Sequence, residues 1–228
     1  MTKTYHNLQD ALDNPLDVLI LEMSMNTRIS MGLHELESLP RVIGLFQNLE
    51  KLNLDGNQLT SLPKEIGQLQ KLRVLNLAGN QFTSLPKEIG QLQNLRVLNL
   101  AGNQLTSLPK EIGQLQNLER LDLAGNQFTS LPKEIGQLQK LEALNLDHNR
   151  FTIFPKEIRQ QQSLKWLRLS GDQLKTLPKE ILLLQNLQVL RLYSNSFSLK
   201  EKQKIQELLP NCEIDFESEG KSESSLTE

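Results

Sequence analysis

The sequence predicts an α/β solenoid: a right-handed, horseshoe-like coil with a parallel β-sheet on its concave side and short 3₁₀ or helical turns on its convex side. Three observations predict it. Asparagine recurs at Asn57, Asn80, Asn103, Asn126, Asn149 and Asn195, always in step with a 23-residue period. Around each one the chain repeats the phrase LxxLxLxxNxLxxLPxxIxxLxx, as in LEKLNLDGN over 49–57 and LERLDLAGN over 118–126. Within each phrase the LxL alternates with the period of a strand, so its leucines share one face and the residue between them takes the other. A strict period of this length marks a coil in which each unit packs only on its neighbours.

The elements follow in order. Asn7 to Leu12 can form a short helix that ends before Pro15. Val18 to Met23 reads as a first strand, followed by an irregular long turn. Strict periodicity would instead make Ile29-Ser30-Met31 the strand, with His34 in the asparagine slot; both readings rejoin the period at Leu36, Leu39 and Pro40. Seven strands then centre on Leu52/Leu54, Leu75/Leu77, Leu98/Leu100, Leu121/Leu123, Leu144/Leu146, Leu167/Leu169 and Leu190/Leu192. Leu199 to Leu209 reads as an amphipathic helix bounded by Pro210, and Cys212 to Phe216 alternates like a ninth and last strand. The expected division is an N-terminal cap over 1–17, about eight repeats over 18–198, a C-terminal cap over 199–216 and a disordered Ser- and Glu-rich tail over 217–228.

Each repeated residue has a physical task. Leu49, Leu52, Leu54, Leu59, Leu62, Ile66 and Leu69 are the inward side chains of one unit. One unit alone cannot offset the backbone entropy of ordering itself, so neighbours must supply ladder hydrogen bonds and a second buried face. After each strand the chain turns, leaving backbone groups without ladder partners. An asparagine amide both donates and accepts, so a column of them can bridge these groups from unit to unit. Asp172 occupies this column once; a carboxylate accepts but does not donate, so that rung should be weaker. Pro63, Pro86, Pro109, Pro132, Pro155 and Pro178 each open a Lys-Glu-Ile, and proline suits the first position of a helical turn. Leu182 and Leu183 stand where other units carry Gly and Gln. Packing of either against Ile205 or Leu208 is expected to shield the open edge.

Composition narrows the function. Lys+Arg is 25 and Asp+Glu is 27, a net charge of -2, with no cluster of five basic residues. Such a chain has no electrostatic handle on nucleic acid or anionic membranes. No apolar run of about 18 residues exists to insert in a bilayer. Cys212 is the sole cysteine, which excludes an intramolecular disulfide and a thiolate metal cluster. The start is not a signal peptide, which places the chain in the cytoplasm by default; it is secreted or surface-exposed if a leader has been removed.

The repeats and both ends resemble the leucine-rich repeat family in its 23-residue LPxxI version, over roughly Val18 to Phe216. The run LPKEIGQLQNLRVLNLAGNQLTS is similar to tandem repeats of spirochaete, leptospiral-type members. Residues 5–18 resemble their N-terminal cap and 209–214 their C-terminal cap. The resemblance implies a protein-binding scaffold, of a kind often secreted or surface-displayed and host-facing. Some bacterial members carry a ubiquitin-ligase domain with a catalytic cysteine; only about a dozen residues follow the cap here.

No catalytic constellation appears, and no cofactor is implied. His6, His34 and His148 lack metal-ligand spacing with Cys212, which reads as an inward cap residue. Phe82, Phe128, Phe151 and Phe197 fall in the inward column of Leu59, Phe154 in that of Leu62 and Phe46 in that of Leu69, so they read as core. Trp166 differs. It lies in the outward strand column of Lys51, Val74, Val97, Arg120, Ala143 and Val189. The middle repeats are bland there, while the C-terminal half gathers Arg120, Asp122, Asp147, His148, Trp166, Arg168, Arg191 and Tyr193. Trp, Tyr and Arg are enriched at binding hot spots. These eight residues are the expected protein-binding site, with Trp166 substantially exposed and Arg168, Arg191 and Tyr193 in one patch. The leading reading is a monomeric, non-enzymatic interaction scaffold whose protein partner the sequence does not identify. A structural or colonisation-related surface protein with no specific partner on the concave face is the second reading, and an enzyme the third.

Overall fold

The computed structural model describes residues 3–31 and 34–217. Its centre is a ten-stranded parallel sheet in chain order: β1 (Thr4–Tyr5), β2 (Ile20–Glu22), β3 (Lys51–Asn53), β4 (Val74–Asn76), β5 (Val97–Asn99), β6 (Arg120–Asp122), β7 (Ala143–Asn145), β8 (Trp166–Arg168), β9 (Val189–Arg191) and β10 (Glu213–Asp215). β2 to β10 are each only three residues long, and in the repeats this is because one LxL must cross the sheet before the chain turns away. 3₁₀ turns at Arg41–Leu45, Lys64–Gln68, Lys87–Gln91, Lys110–Gln114, Lys133–Gln137, Lys156–Gln160 and Lys179–Leu183 form the opposite side. Proline precedes each of them, with its fixed φ starting the turn. Glycine inside the turn has a packing reason. A Cβ on Gly113 would come 2.9 Å from the Glu134 carbonyl oxygen of the next unit.

The core lies between the two layers. Leu52, Leu75, Leu98, Leu121, Leu144, Leu167 and Leu190 are all buried, as are Phe46, Phe82, Phe128, Phe151 and Phe154. Phe197 is partly buried and meets Phe216 edge to face, ring centroids 6.0 Å apart. The asparagine column behind the strands forms a ladder. Asn103 shows the pattern: its Oδ1 accepts from the Phe82 N–H at 3.0 Å, and its Nδ2 donates to the carbonyls of Leu77 and Leu100, both at 3.0 Å. One side chain thus closes its own turn and joins it to the unit before.

Three expectations need correction. The irregular first turn contains an α-helix, α2 (Met25–Ser30), capped by the Ser24 hydroxyl. Its register is that of the Val18–Met23 reading: Ile20 pairs with Lys51, 31 positions on, whereas Lys51 pairs with Val74, 23 positions on. The first unit is therefore eight residues longer (31 minus 23), and the helix takes up that length. The sheet also has ten strands rather than nine, because Thr4–Tyr5 pairs with Ile20–Leu21 ahead of α1 (Leu8–Leu12). A two-residue strand is too short to leave a periodic signal.

The third correction concerns the C-terminal helix, α3 (Leu199–Leu208). It buries Ile205, yet leaves Leu182 and Leu183 about half exposed, at 48% and 49%. The Glu201 carboxylate accepts the Leu177 N–H at 3.1 Å, which ties the start of the helix to the chain just before the last 3₁₀ turn. The expected tail over 217–228 lies, beyond Glu217, outside the described residues.

Candidate functional site

The outward face of the sheet is set by alternation alone. Strand register places Arg120, Ala143, Trp166 and Val189 side by side in one row, and Asp122, Asn145, Arg168 and Arg191 in the next. Ala143 is the smallest side chain in its row and stands between an arginine and a tryptophan. The result is a notch. A groove opens there, lined by Val97, Arg120, Asp122, Ala143, Trp166 and Arg168. Its lining is mostly apolar, with the charged side chains of Arg120, Asp122 and Arg168 among the lining residues.

Beneath the groove lies a polar cluster that holds Arg168. The Asp147 carboxylate is buried and accepts from Arg168 Nε at 2.6 Å and from the Ser170 N–H at 2.6 Å. Arg168 Nη2 donates to the Tyr193 hydroxyl at 2.7 Å, and that hydroxyl donates on to Asp147 at 3.4 Å. Burial pulls the guanidinium pKa down, but the Asp147 carboxylate and the Tyr193 oxygen outweigh it and the net shift is upward. Arg168 is thus a fixed cation, held through Nε and Nη2, that also lines the groove. Asp122 has the opposite character. Burial raises its carboxyl above the usual range and the nearby Asp147 charge adds to this; hydrogen bonds from the Ala124 N–H at 2.9 Å and Asn145 Nδ2 at 3.1 Å oppose it, as does the charge of Arg168.

The eight expected residues therefore divide. Arg120, Asp122, Trp166 and Arg168 line one groove. Asp147 and Tyr193 are buried, at 2% and 8% exposure, and orient Arg168 instead of facing outward. Arg191 reaches the sheet edge and pairs with Glu213 at 2.8 Å. His148 is exposed but occupies the turn after β7 in a left-handed conformation (φ 55°), with its ring over Gly171. Trp166 is only partly exposed, less than expected, because it lies against its row neighbours, with the Lys165 ammonium 5.9 Å from its ring centroid. Sequence reasoning passed over Val97, Ala143 and Asn145 as bland. The signal for Ala143 was its size: a small residue between two large ones makes a depression on a sheet.

Other polar features do not join this site. Cys212 is a partly buried free thiol, its pKa pushed up to about 11 by burial first and by Glu213 second. It is therefore protonated at neutral pH and a poor nucleophile. Among the described residues, no group of three His, Cys, Asp or Glu could hold a metal ion, and no helix is long and apolar enough to cross a membrane.

Residues 86–169 match the family described as "Leucine-rich repeat region", and residues 47–105 that described as "Leucine rich repeat". No curated protein matches the chain. Among solved structures, a leucine-rich repeat protein of Leptospira interrogans is 31% identical over 95% of this chain and 100% of that one, with a TM-score of 0.36. The leucine-rich repeat ectodomain of the Arabidopsis thaliana membrane receptor kinase GASSHO1/SCHENGEN3, in complex with CASPARIAN STRIP INTEGRITY FACTOR 2, is 35% identical over 85% of this chain, with a TM-score of 0.69. The plant peptide hormone receptor RGFR1, in complex with RGF2, is 31% identical over 86%, with a TM-score of 0.67. This chain spans 23% and 30% of those two plant chains.

Proposed function

We propose a function from one premise: the chain belongs to the leucine-rich repeat family. It is a non-enzymatic, monomeric scaffold that binds a protein or peptide partner on the outward face of its sheet, with 1–17 and 199–216 as end caps. The observation that carries this reading is the groove at Ala143, lined by Trp166 together with Arg120, Asp122 and Arg168. An aromatic wall beside an immobilised arginine suits a hot spot, because little side-chain entropy remains to be lost on binding. Two structural neighbours form complexes with the ligands given in their names, which supports a binding role for this fold. The host-facing setting implied by the leptospiral resemblance belongs to the same proposal.

The test is affinity capture on immobilised wild-type protein, followed by calorimetry with the captured partner. Loss of binding in Trp166→Ala and Arg168→Ala, with Asn76→Ala unaffected, supports the groove. Equal affinity for all three variants removes it as the site.

A further inference from the structure

One unit of the solenoid breaks the rules that the others keep, and it is the unit that carries Trp166 and Arg168. In the rungs of Asn57, Asn80, Asn103, Asn126, Asn149 and Asn195, the amide nitrogen donates to the leucine or methionine carbonyl of the preceding unit and to the leucine carbonyl of its own, at 2.6–3.1 Å. Asp172 keeps only the accepting half: Oδ1 takes the Phe151 N–H at 2.8 Å. Its Oδ2, where the others carry an amide nitrogen, is buried without a partner. The periodic positions that such a donor would serve are the carbonyls of Leu146 and Leu169, and an ionised oxygen beside carbonyl oxygens is repelled by them.

Ser170 lies in this unit too, and the 3₁₀ segment of the unit before it, residues 155–161, also departs from the repeat. Of the four described buried side-chain atoms without a partner, three are Gln161 Oε1, Ser170 Oγ and Asp172 Oδ2. Gln161 is buried where other units place leucine, as at Leu138. Arg159 stands where Gly136 allows the 3₁₀ turns to approach closely. Pro155 before that turn has ψ 106°, against 145–153° at the other five Lys-Glu-Ile prolines.

We propose that Asp172 is a protonation-controlled joint in the solenoid: a protonated carboxyl donates from Oδ2 and closes the rung, and an ionised one leaves the unit free to open locally. Several charged groups face this place. Asp147 lies in the turn after β7 and adds negative charge, itself paired with Arg168 at the end of β8. His148 from the same turn lies over Gly171. The flanking rungs, Asn149 and Asn195, are uncharged. Burial, then the Asp147 charge, pushes the Asp172 carboxyl up to about 7, against the Phe151 hydrogen bond and the influence of the nearby Asn149 N–H, so the proton is exchanged near neutrality.

Amide hydrogen exchange tests this without any partner. Protection factors, corrected for intrinsic exchange, are compared at pH 5.5 and pH 8. We expect amides over 146–174 to lose about thirtyfold protection at the higher pH, as one proton released on opening requires when the closed carboxyl titrates at about 7 and the open one near 4. Amides over 77–103 should not change. Asp172→Asn restores the residue of the other rungs and should abolish the difference while keeping protection high at both values. Equal wild-type protection at the two pH values overturns the joint. So does a difference that persists in Asp172→Asn, which would assign it to Asp147 or His148. Neither result bears on whether the groove binds a partner.

Discussion

Arg168 Nε lies 2.6 Å from the Asp147 carboxylate, although Arg168 closes an outward strand position and Asp147 is buried in the turn of the preceding unit. The arginine side chain is 32% exposed and the aspartate only 3%. The pair therefore joins the surface of the groove to the interior, and the two partners are unequal when removed.

Removing Arg168 alone leaves an uncompensated buried carboxylate, while removing both leaves none. Arg168→Ala should cost about 3 kcal/mol of stability, within the range for breaking a buried pair. The Asp147→Ala, Arg168→Ala double variant should be more stable than Arg168→Ala. A double-mutant cycle in urea measures this. Strict additivity of the two single effects would contradict the pairing.

Trp166 forms a wall of the notch at Ala143. Trp166→Ala should weaken partner binding by about 2 kcal/mol or more, as loss of a central aromatic anchor does. Filling the notch, by Ala143→Leu, should also weaken binding while leaving the fold intact, since the added atoms point outward. Calorimetry reads the affinity, and the thermal transition of the free protein checks the fold. A filled notch that binds as well as the wild type would place the contact elsewhere.

A transplanted aspartate should carry its pH dependence with it. Asp172 titrates at about 7 in the folded chain, above the value near 4 of an exposed aspartate. The folded state then holds the proton longer than the unfolded state. Its stabilising contribution is complete below about pH 4 and is lost as pH rises through about 7. Asn103→Asp creates the same vacancy between the Leu77 and Leu100 carbonyls. The variant should lie closer to wild type in stability at pH 5 than at pH 8, by calorimetric melting. A loss of equal size at both pH values would show that the missing donor is not replaced by a proton.

Leu182 and Leu183 are half exposed and not sealed by α3. Leu182→Gly and Leu183→Gln restore the residues of the regular turn. Each should change stability by no more than about 0.5–1 kcal/mol, against about 2–5 for a buried leucine such as Leu98→Ala. Urea unfolding separates the two outcomes, and a loss above 2 kcal/mol in Leu183→Gln would restore a capping role for that side chain.

The periodic part of the molecule was legible from the chain alone. Period-two alternation requires Leu52 through Leu190 to face inward, and a 23-residue spacing stacks them into one row, so strands, 3₁₀ turns and the asparagine ladder follow from local chemistry repeated in register. The weak rung at Asp172 was legible too, because a carboxylate has no donor to offer. What sequence could not decide lay where residues from different units meet. The helix α2 replaced an irregular turn because the first unit has length to absorb. Asp147 and Tyr193 moved from the expected surface to the interior because Arg168 folds back over them. Trp166 became mostly covered, and Ala143 acquired importance, only once register set them side by side. A repeat determines which face a side chain takes; whether it then stands free or turns onto a neighbour depends on the size and charge of the residues one unit away, and only the tertiary structure brings those together.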